Sequence, residues 1–265
     1  MIYLYTGTPG SGKSYHVAKD IYFYLYHCCN VIANFDVNVD AVPSRKRHPR
    51  GHFIQKENHE LDPDWLMEFA VLCHNRNQRG RIIEGQTWLI IDECQLLFNC
   101  RSWNGEGRDK WNSFFTQHRK YGYNIILITQ FDRLVDRQIR SLVEYEVKHR
   151  KANNFGIGGL MVSLFLLGRP LFVSITYWYG ARERCGSSMC IGTEKYYKIY
   201  DSYKLFEIPG NGTAVDYNIQ PISSVSTSDV KKKERGNKND EPKNNYIPIF
   251  KDDEKPTFRD EERAS

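Results

Sequence analysis

Apolar residues gather in short runs that break off into polar ones, and the stretches between them carry apolar positions at helical spacing. Ile2-Tyr3-Leu4-Tyr5-Thr6 is the first run; Val31-Ile32-Ala33-Asn34, Thr87-Trp88-Leu89-Ile90-Ile91 and Ile125-Ile126-Leu127-Ile128-Thr129 follow. Their length and β-branched or aromatic content predict buried strands. Ser14 to Tyr26 contains no Pro or Gly and puts Val17, Ala18, Ile21, Tyr22 and Leu25 on one face, which predicts a helix. A second helix is predicted from Asp62-Pro63 toward Asn75, with Asp as cap and Pro at the first helical position. Two more are expected over 109–121, stopping at Gly122, and over Asp136–Val143, with a strand around Tyr145 and Val147. Strands alternating with helices predict an α/β fold with a mostly parallel sheet flanked by helices.

Three stretches depart from that rhythm. Residues 36–60 are polar, and Arg45-Lys46-Arg47-His48-Pro49-Arg50 reads as a solvated loop, with DNA phosphates or an acidic partner as the functional alternative. Ile157 to Tyr179 is apolar but carries Arg169-Pro170 at its centre. A central Arg costs about 2.5–3.5 kcal/mol on insertion scales, and the charge-free run 157–167 falls short of the ~20 residues a span needs. Leu171 to Tyr177 is β-rich, so the reading is a pair of strands turning at Gly168-Arg169-Pro170, within a β-rich extension over about 157–205. A membrane-inserted element is the alternative. From about Gln220 the chain is rich in Ser, Lys, Asn and Glu and cannot bury enough apolar surface to offset the entropy of ordering. Residues 206–265 are therefore expected to form a mostly disordered polar tail.

The 265 residues carry a net charge of +5, and 40% are hydrophobic. Residues 229–265 hold ten acidic and ten basic side chains, so the positive excess lies in the folded part. It suits contact with nucleotides, nucleic acid or anionic lipid without demanding any of them. The seven cysteines are odd in number and include no C-x-x-C pair, which argues against a zinc ribbon or a disulfide framework. Cys185 and Cys190 flank Gly-Ser-Ser-Met and could meet across a turn, but reduced thiols are the expectation. No signal peptide is expected before the first strand.

The chemistry begins at Gly7-Thr8-Pro9-Gly10-Ser11-Gly12-Lys13-Ser14. The pattern G-x-x-x-x-G-K-[ST] between a strand and a helix is a phosphate-binding loop, so the fold is that of a P-loop NTPase. Backbone N–H groups and the helix dipole hold phosphates there. Lys13 supplies charge to the β- and γ-phosphates of ATP, and the Ser14 hydroxyl coordinates Mg²⁺. Asp92-Glu93 closes an apolar strand: Asp92 is the candidate second metal ligand, through water, and Glu93 the candidate base for the attacking water. Gln130 ends another strand and is a candidate γ-phosphate sensor. Arg101, Arg119, Arg133, Arg137 and Arg140 lie near these strands in sequence, each more in keeping with a surface charge than with an arginine finger.

Leu89-Ile90-Ile91-Asp92-Glu93-Cys94-Gln95, His118-Arg119-Lys120-Tyr121-Gly122, Ile128-Thr129-Gln130, Asp136-Arg137-Gln138-Ile139-Arg140 and Tyr197-Lys198-Ile199-Tyr200-Asp201-Ser202 follow the loop in that order. In order and spacing the chain resembles, over about residues 1–205, the zonula occludens toxin-like ATPases that assemble filamentous bacteriophages. The resemblance implies an ATPase in the host cytoplasm, at the cytoplasmic face of the membrane, that drives assembly and extrusion of the filament. It implies phage coat proteins and export-complex subunits as partners, with single-stranded DNA as a further one, and a homo-oligomer as the working form. Many relatives carry a membrane-spanning helix after the ATPase domain. None follows Ser202 here, which points to recruitment by a membrane partner or to anchoring by 157–179. A DNA-translocating or packaging ATPase would use the same residues; a small-molecule kinase would need an acceptor pocket and a lid that no sequence feature supplies.

Overall fold

A computed structural model describes residues 1–44, 46, 49–100, 107–152 and 169–200. Among them, strands β1 (Ile2–Thr6), β2 (Asn30–Ala33), β3 (Phe53–Gln55), β4 (Thr87–Ile91), β5 (Tyr123–Ile128) and β6 (Tyr145–Lys151) run parallel. β7 (Leu171–Trp178) and β8 (Glu183–Ile191) add antiparallel to β6 and to each other, giving the order β3-β2-β4-β5-β1-β6-β7-β8. The mostly parallel α/β sheet expected from the sequence is therefore present.

Why the central strands read as unbroken apolar runs follows from the layers. Ile2, Leu4, Leu89, Ile91, Ile125 and Leu127 face one side. There they pack with Leu66 and Phe69 of α2 (Pro63–Cys73), Trp111, Phe114 and Phe115 of α3 (Arg108–Gln117), and Ile139 of α4 (Arg137–Ser141). Tyr5, Val31, Ala33, Ile90, Ile126 and Ile128 face the other side, against Val17, Ala18, Ile21 and Leu25 of α1 (Lys13–Tyr26). Successive side chains point to opposite faces, and with both faces covered neither set is polar.

The helices start where their caps put them. The Asp62 carboxylate accepts the Trp65 N–H with Pro63 opening α2, and the Asp136 carboxylate accepts the Gln138 N–H at 2.8 Å. α3 and α4 are shorter than expected; α3 gives way to a turn before Gly122, whose φ of 78° reverses the chain into β5.

Several expectations need correction. The polar 36–60 stretch contains β3, parallel to β2, and its Arg50 is committed internally, donating to the Val39 and Val42 carbonyls at 2.7 and 3.2 Å. Arg45, Arg47 and His48 lie outside the described residues. β7 is a strand as expected, but its neighbours are β6 and β8, with the β7–β8 turn at residues 179–182 rather than at 168–170. The strand expected over 157–167, and any membrane contact there, falls outside the described residues, as do residues 201–265. Cys185 and Cys190 do not face each other across a turn: both lie in extended β8, five residues apart, roughly 17 Å along the strand. The segment 194–197 forms a short helix, α5 (Glu194–Tyr197). No helix among the described residues is long and apolar enough to cross a membrane.

Candidate functional site

β1 leads into the glycine loop, and β4 ends just before Asp92. Between them lies β5, with Tyr5 opposite Ile128 and Ile91 opposite Leu127. The register continues past the strands, since Thr129 N–H donates to Tyr5 O at 3.0 Å and Gly7 N–H to Gln130 O at 3.3 Å. Gly7–Ser14, Asp92, Glu93 and Gln130 thus share the carboxyl edge of one sheet, where open α/β folds bind ligands.

In the loop, Gly10 has a φ of 73° and a β-carbon on it would meet nothing within 4 Å, so its backbone faces open space. Gly12 caps α1 in a left-handed conformation, and no side chain caps the first-turn amides. Ser11 Oγ is buried without a hydrogen-bond partner. The half-buried Lys13 ammonium turns back onto its own loop, donating to Gly7 O at 2.5 Å and to Thr8 O at 3.4 Å. Burial pushes its pKa down, and the nearby Asp92 and Glu93 carboxylates act in the opposite sense. Uncapped amides, an orphaned hydroxyl, a cation and two carboxylates form a donor set that fits a phosphate chain with a hard divalent metal.

Asp92 is held more firmly than an acidic turn requires. The Asn34 side chain brackets its backbone, accepting the Asp92 N–H at 2.7 Å and donating to the Asp92 carbonyl at 2.9 Å. Its Oδ1 accepts the Glu93 N–H at 2.8 Å, and its Oδ2 accepts the Tyr200 hydroxyl. Burial raises the carboxyl pKa above its ordinary value, and the Tyr200 hydrogen bond counteracts that. Glu93 occupies the left-handed region, with φ 45° and ψ 45°, a strained choice for a residue with a β-carbon. Gln95 binds its carboxylate through Nε2 and receives the Thr129 hydroxyl on Oε1 at 2.8 Å. Asn34, Gln95 and Tyr200 were not among the sequence candidates. The only sequence trace of Asn34 is an amide closing an apolar run.

The antiparallel strands buttress the loop. Phe172 of β7 lies over Gly12, and Tyr15 OH donates to Ile191 O at 2.8 Å. His149 of β6 sits beside β1 with Nδ1 3.3 Å from Thr6 O, and burial with the adjacent His16 ring pushes its pKa down to about 3.

The arginines divide by edge. Arg119 pairs with Glu144 at 2.7 Å, at the amino edge where Glu144 N–H meets Ile2 O, far from the loop. Its neighbour His118 is structural, with Nδ1 2.6 Å from Phe115 O ahead of the Gly122 reversal. Arg140 donates to Asp132 O at 3.3 Å, and Arg101 lies outside the described residues.

The family described as Zonular occludens toxin (Zot) matches residues 1–203. The Gene 1 protein of Enterobacteria phage fd is 30% identical over 151 residues, 57% of this chain and 42% of that protein. The Gene 1 protein of Salmonella phage IKe is 26% identical over 173 residues, 63% of this chain and 46% of that protein. The matched stretches thus span less than half the length of these relatives. Among solved structures, the N-terminal domain of zonular occludens toxin from Neisseria meningitidis is 18% identical with a TM-score of 0.42, covering 76% of this chain and 98% of that one.

Proposed function

The chain belongs to the zonular occludens toxin (Zot) family, and from that premise we propose that it binds and hydrolyses ATP as a motor for assembly and extrusion of a filamentous phage at the host membrane. The observation that carries the reading is the Lys13 ammonium lying in the field of the Asp92 and Glu93 carboxylates across one intervening strand.

In this reading the loop amides of Gly7, Thr8, Gly10, Ser11 and Gly12 cradle the phosphates, with Pro9 shaping the turn. Lys13 leaves its loop carbonyls to meet the β- and γ-phosphates. Ser14 and, through water, Asp92 would hold Mg²⁺, which would supply charge neutralisation at the phosphate oxygens. Glu93, oriented by Gln95, accepts the proton of the water that attacks the γ-phosphorus. Gln130 senses the γ-phosphate. Exposed Leu96, beside the acidic pair, and Phe131, beside Gln130, offer apolar surface to a neighbouring copy in a homo-oligomer. Coat proteins, export-complex subunits and the single-stranded genome are the proposed partners, with membrane association through a partner at the cytoplasmic face.

Lys13→Ala is expected to abolish ATP binding. Glu93→Gln is expected to keep binding and to lose about 10²–10⁴-fold in turnover. Equal turnover in wild type and Glu93→Gln would remove Glu93 from its role. Stimulation of hydrolysis by coat protein supports assembly; stimulation by circular single-stranded DNA alone would point to DNA translocation instead.

A further inference from the structure

Tyr200 reaches the acidic end of β4 from the far end of the described chain. Its hydroxyl donates to Oδ2 of Asp92, a contact between residues 108 apart in sequence. The ring has little freedom: it is 8% exposed and packs at a tilt against Phe35 with centroids 4.1 Å apart. The backbone behind it is pinned by the Asn38 N–H donating to Ile199 O at 2.8 Å. On the other side of the carboxylate, Oδ1 is occupied by the Glu93 N–H. Asp92 therefore has one fixed donor on each oxygen. Each oxygen has two acceptor sites, so one on each remains for a metal-bound water.

We infer that Tyr200 is a positioning residue of the metal–nucleotide site, its hydroxyl fixing the Asp92 carboxylate in the orientation that accepts a magnesium-bound water. Resting on the ATP–magnesium reading of Lys13, Ser14 and Asp92, the role acts only when the metal is present. A tyrosine that merely packed the core would act through its ring and would affect nucleotide binding with and without metal alike. A hydroxyl that orients a metal partner acts through its oxygen and leaves metal-free binding alone. The other atoms that fix Asp92 belong to its own strand end or to Asn34 after β2. Among the described residues, Tyr200 ties the Asp92 carboxylate itself to the segment after β8.

The experiment titrates the full chain with mant-ATP by fluorescence, in excess EDTA and across a Mg²⁺ series, for wild type, Tyr200→Phe, Asp92→Asn and the double variant. Tyr200→Phe keeps the ring against Phe35 and removes only the oxygen. Its affinity in EDTA is expected to match wild type, while its Mg²⁺ half-saturation rises about 10-fold, the lower end for loss of a group that orients a ligand. Adding Tyr200→Phe to Asp92→Asn is expected to change nothing further. An unchanged or lower Mg²⁺ requirement in Tyr200→Phe overturns the inference, as does equal weakening in EDTA and Mg²⁺. A wild-type chain whose affinity does not depend on Mg²⁺ would overturn the ATP–magnesium reading on which the inference rests, a separate failure visible in the same titration.

Discussion

Gly12 lies against the ring of Phe172, so closely that a β-carbon on residue 12 would sit 2.2 Å from Cδ1 of that ring. The contact joins the first turn of α1 to β7, and it gives the loop's last glycine a packing duty beside the phosphate-facing one proposed for it. At a φ of 92°, a side chain costs about 1–2 kcal/mol before any overlap. Gly12→Ala is expected to lower Tm and to eliminate nucleotide affinity. Phe172→Leu in the same background is expected to recover part of the Tm and none of the affinity. A double variant no more stable than Gly12→Ala would show that the overlap is not the cause.

Gln95 links Glu93 to Thr129 through its two amide atoms. Without that link Glu93, the proposed base on a strained backbone, would keep its chemistry and lose its aim. Gln95→Ala is expected to lower kcat by up to about 10²-fold, the size of effect a misplaced group causes, with KM for ATP little changed. Thr129→Val, which deletes the hydroxyl at constant shape, is expected to fall in the same direction by less. Steady-state kinetics on both variants checks this; a rise in KM at constant kcat would assign Gln95 to binding instead.

The elements legible in the sequence were those whose packing leaves a side-chain record. β1, β4 and β5 are covered on both faces, so they read as apolar runs, and α2 carries its Asp-Pro cap in plain view. β3 has three residues and β8 is almost wholly exposed at the sheet edge; both pair through backbone, which side-chain patterns do not record. The same contrast holds in the site. The glycine loop and Asp92-Glu93 are contiguous, so their chemistry is local. Asn34 and Tyr200 meet Asp92 across 58 and 108 residues, and Thr129 meets Gln95 across 34, so only the fold brings them together. The arginines reverse the lesson: sequence proximity put Arg119 near the motif strands, and the parallel topology carries it to the opposite edge.

Asn34 is 2% exposed and satisfies both the N–H and the C=O of Asp92. Asn34→Ala strands both groups inside the protein. Each buried group left unpaired costs about 1–3 kcal/mol, so urea denaturation is expected to show a loss of that order or greater. A loss well under 1 kcal/mol would mean that water or Asn58 replaces the amide.

His149 and Asp20 are expected to pull the pH dependence of stability in opposite directions. His149 has its pKa pushed from 6.5 down to about 3, chiefly by burial and then by His16. Below pH 6.5 the unfolded chain binds that proton and the folded chain does not, so stability falls as pH drops from 6.5 toward 3. Asp20, partly buried with its carboxylate accepting the Tyr5 hydroxyl at 2.8 Å, has its pKa raised by desolvation from 3.8 to about 6. Between pH 6 and 3.8 the folded chain holds the extra proton, so this group adds stability as pH drops. Each slope approaches 1.4 kcal/mol per pH unit at its steepest, and the two largely cancel from about pH 4 to 6. Removing either partner exposes the other. Relative to wild type, His149→Asn is expected to gain Tm progressively from pH 6.5 to 4, and Asp20→Asn to lose it over pH 6 to 4. Calorimetric scans across that range read both differences, in which contributions from groups common to all three proteins drop out. Curves for His149→Asn and wild type that run parallel from pH 6.5 to 4 would show that His149 takes up its proton without opening the sheet edge beneath the loop.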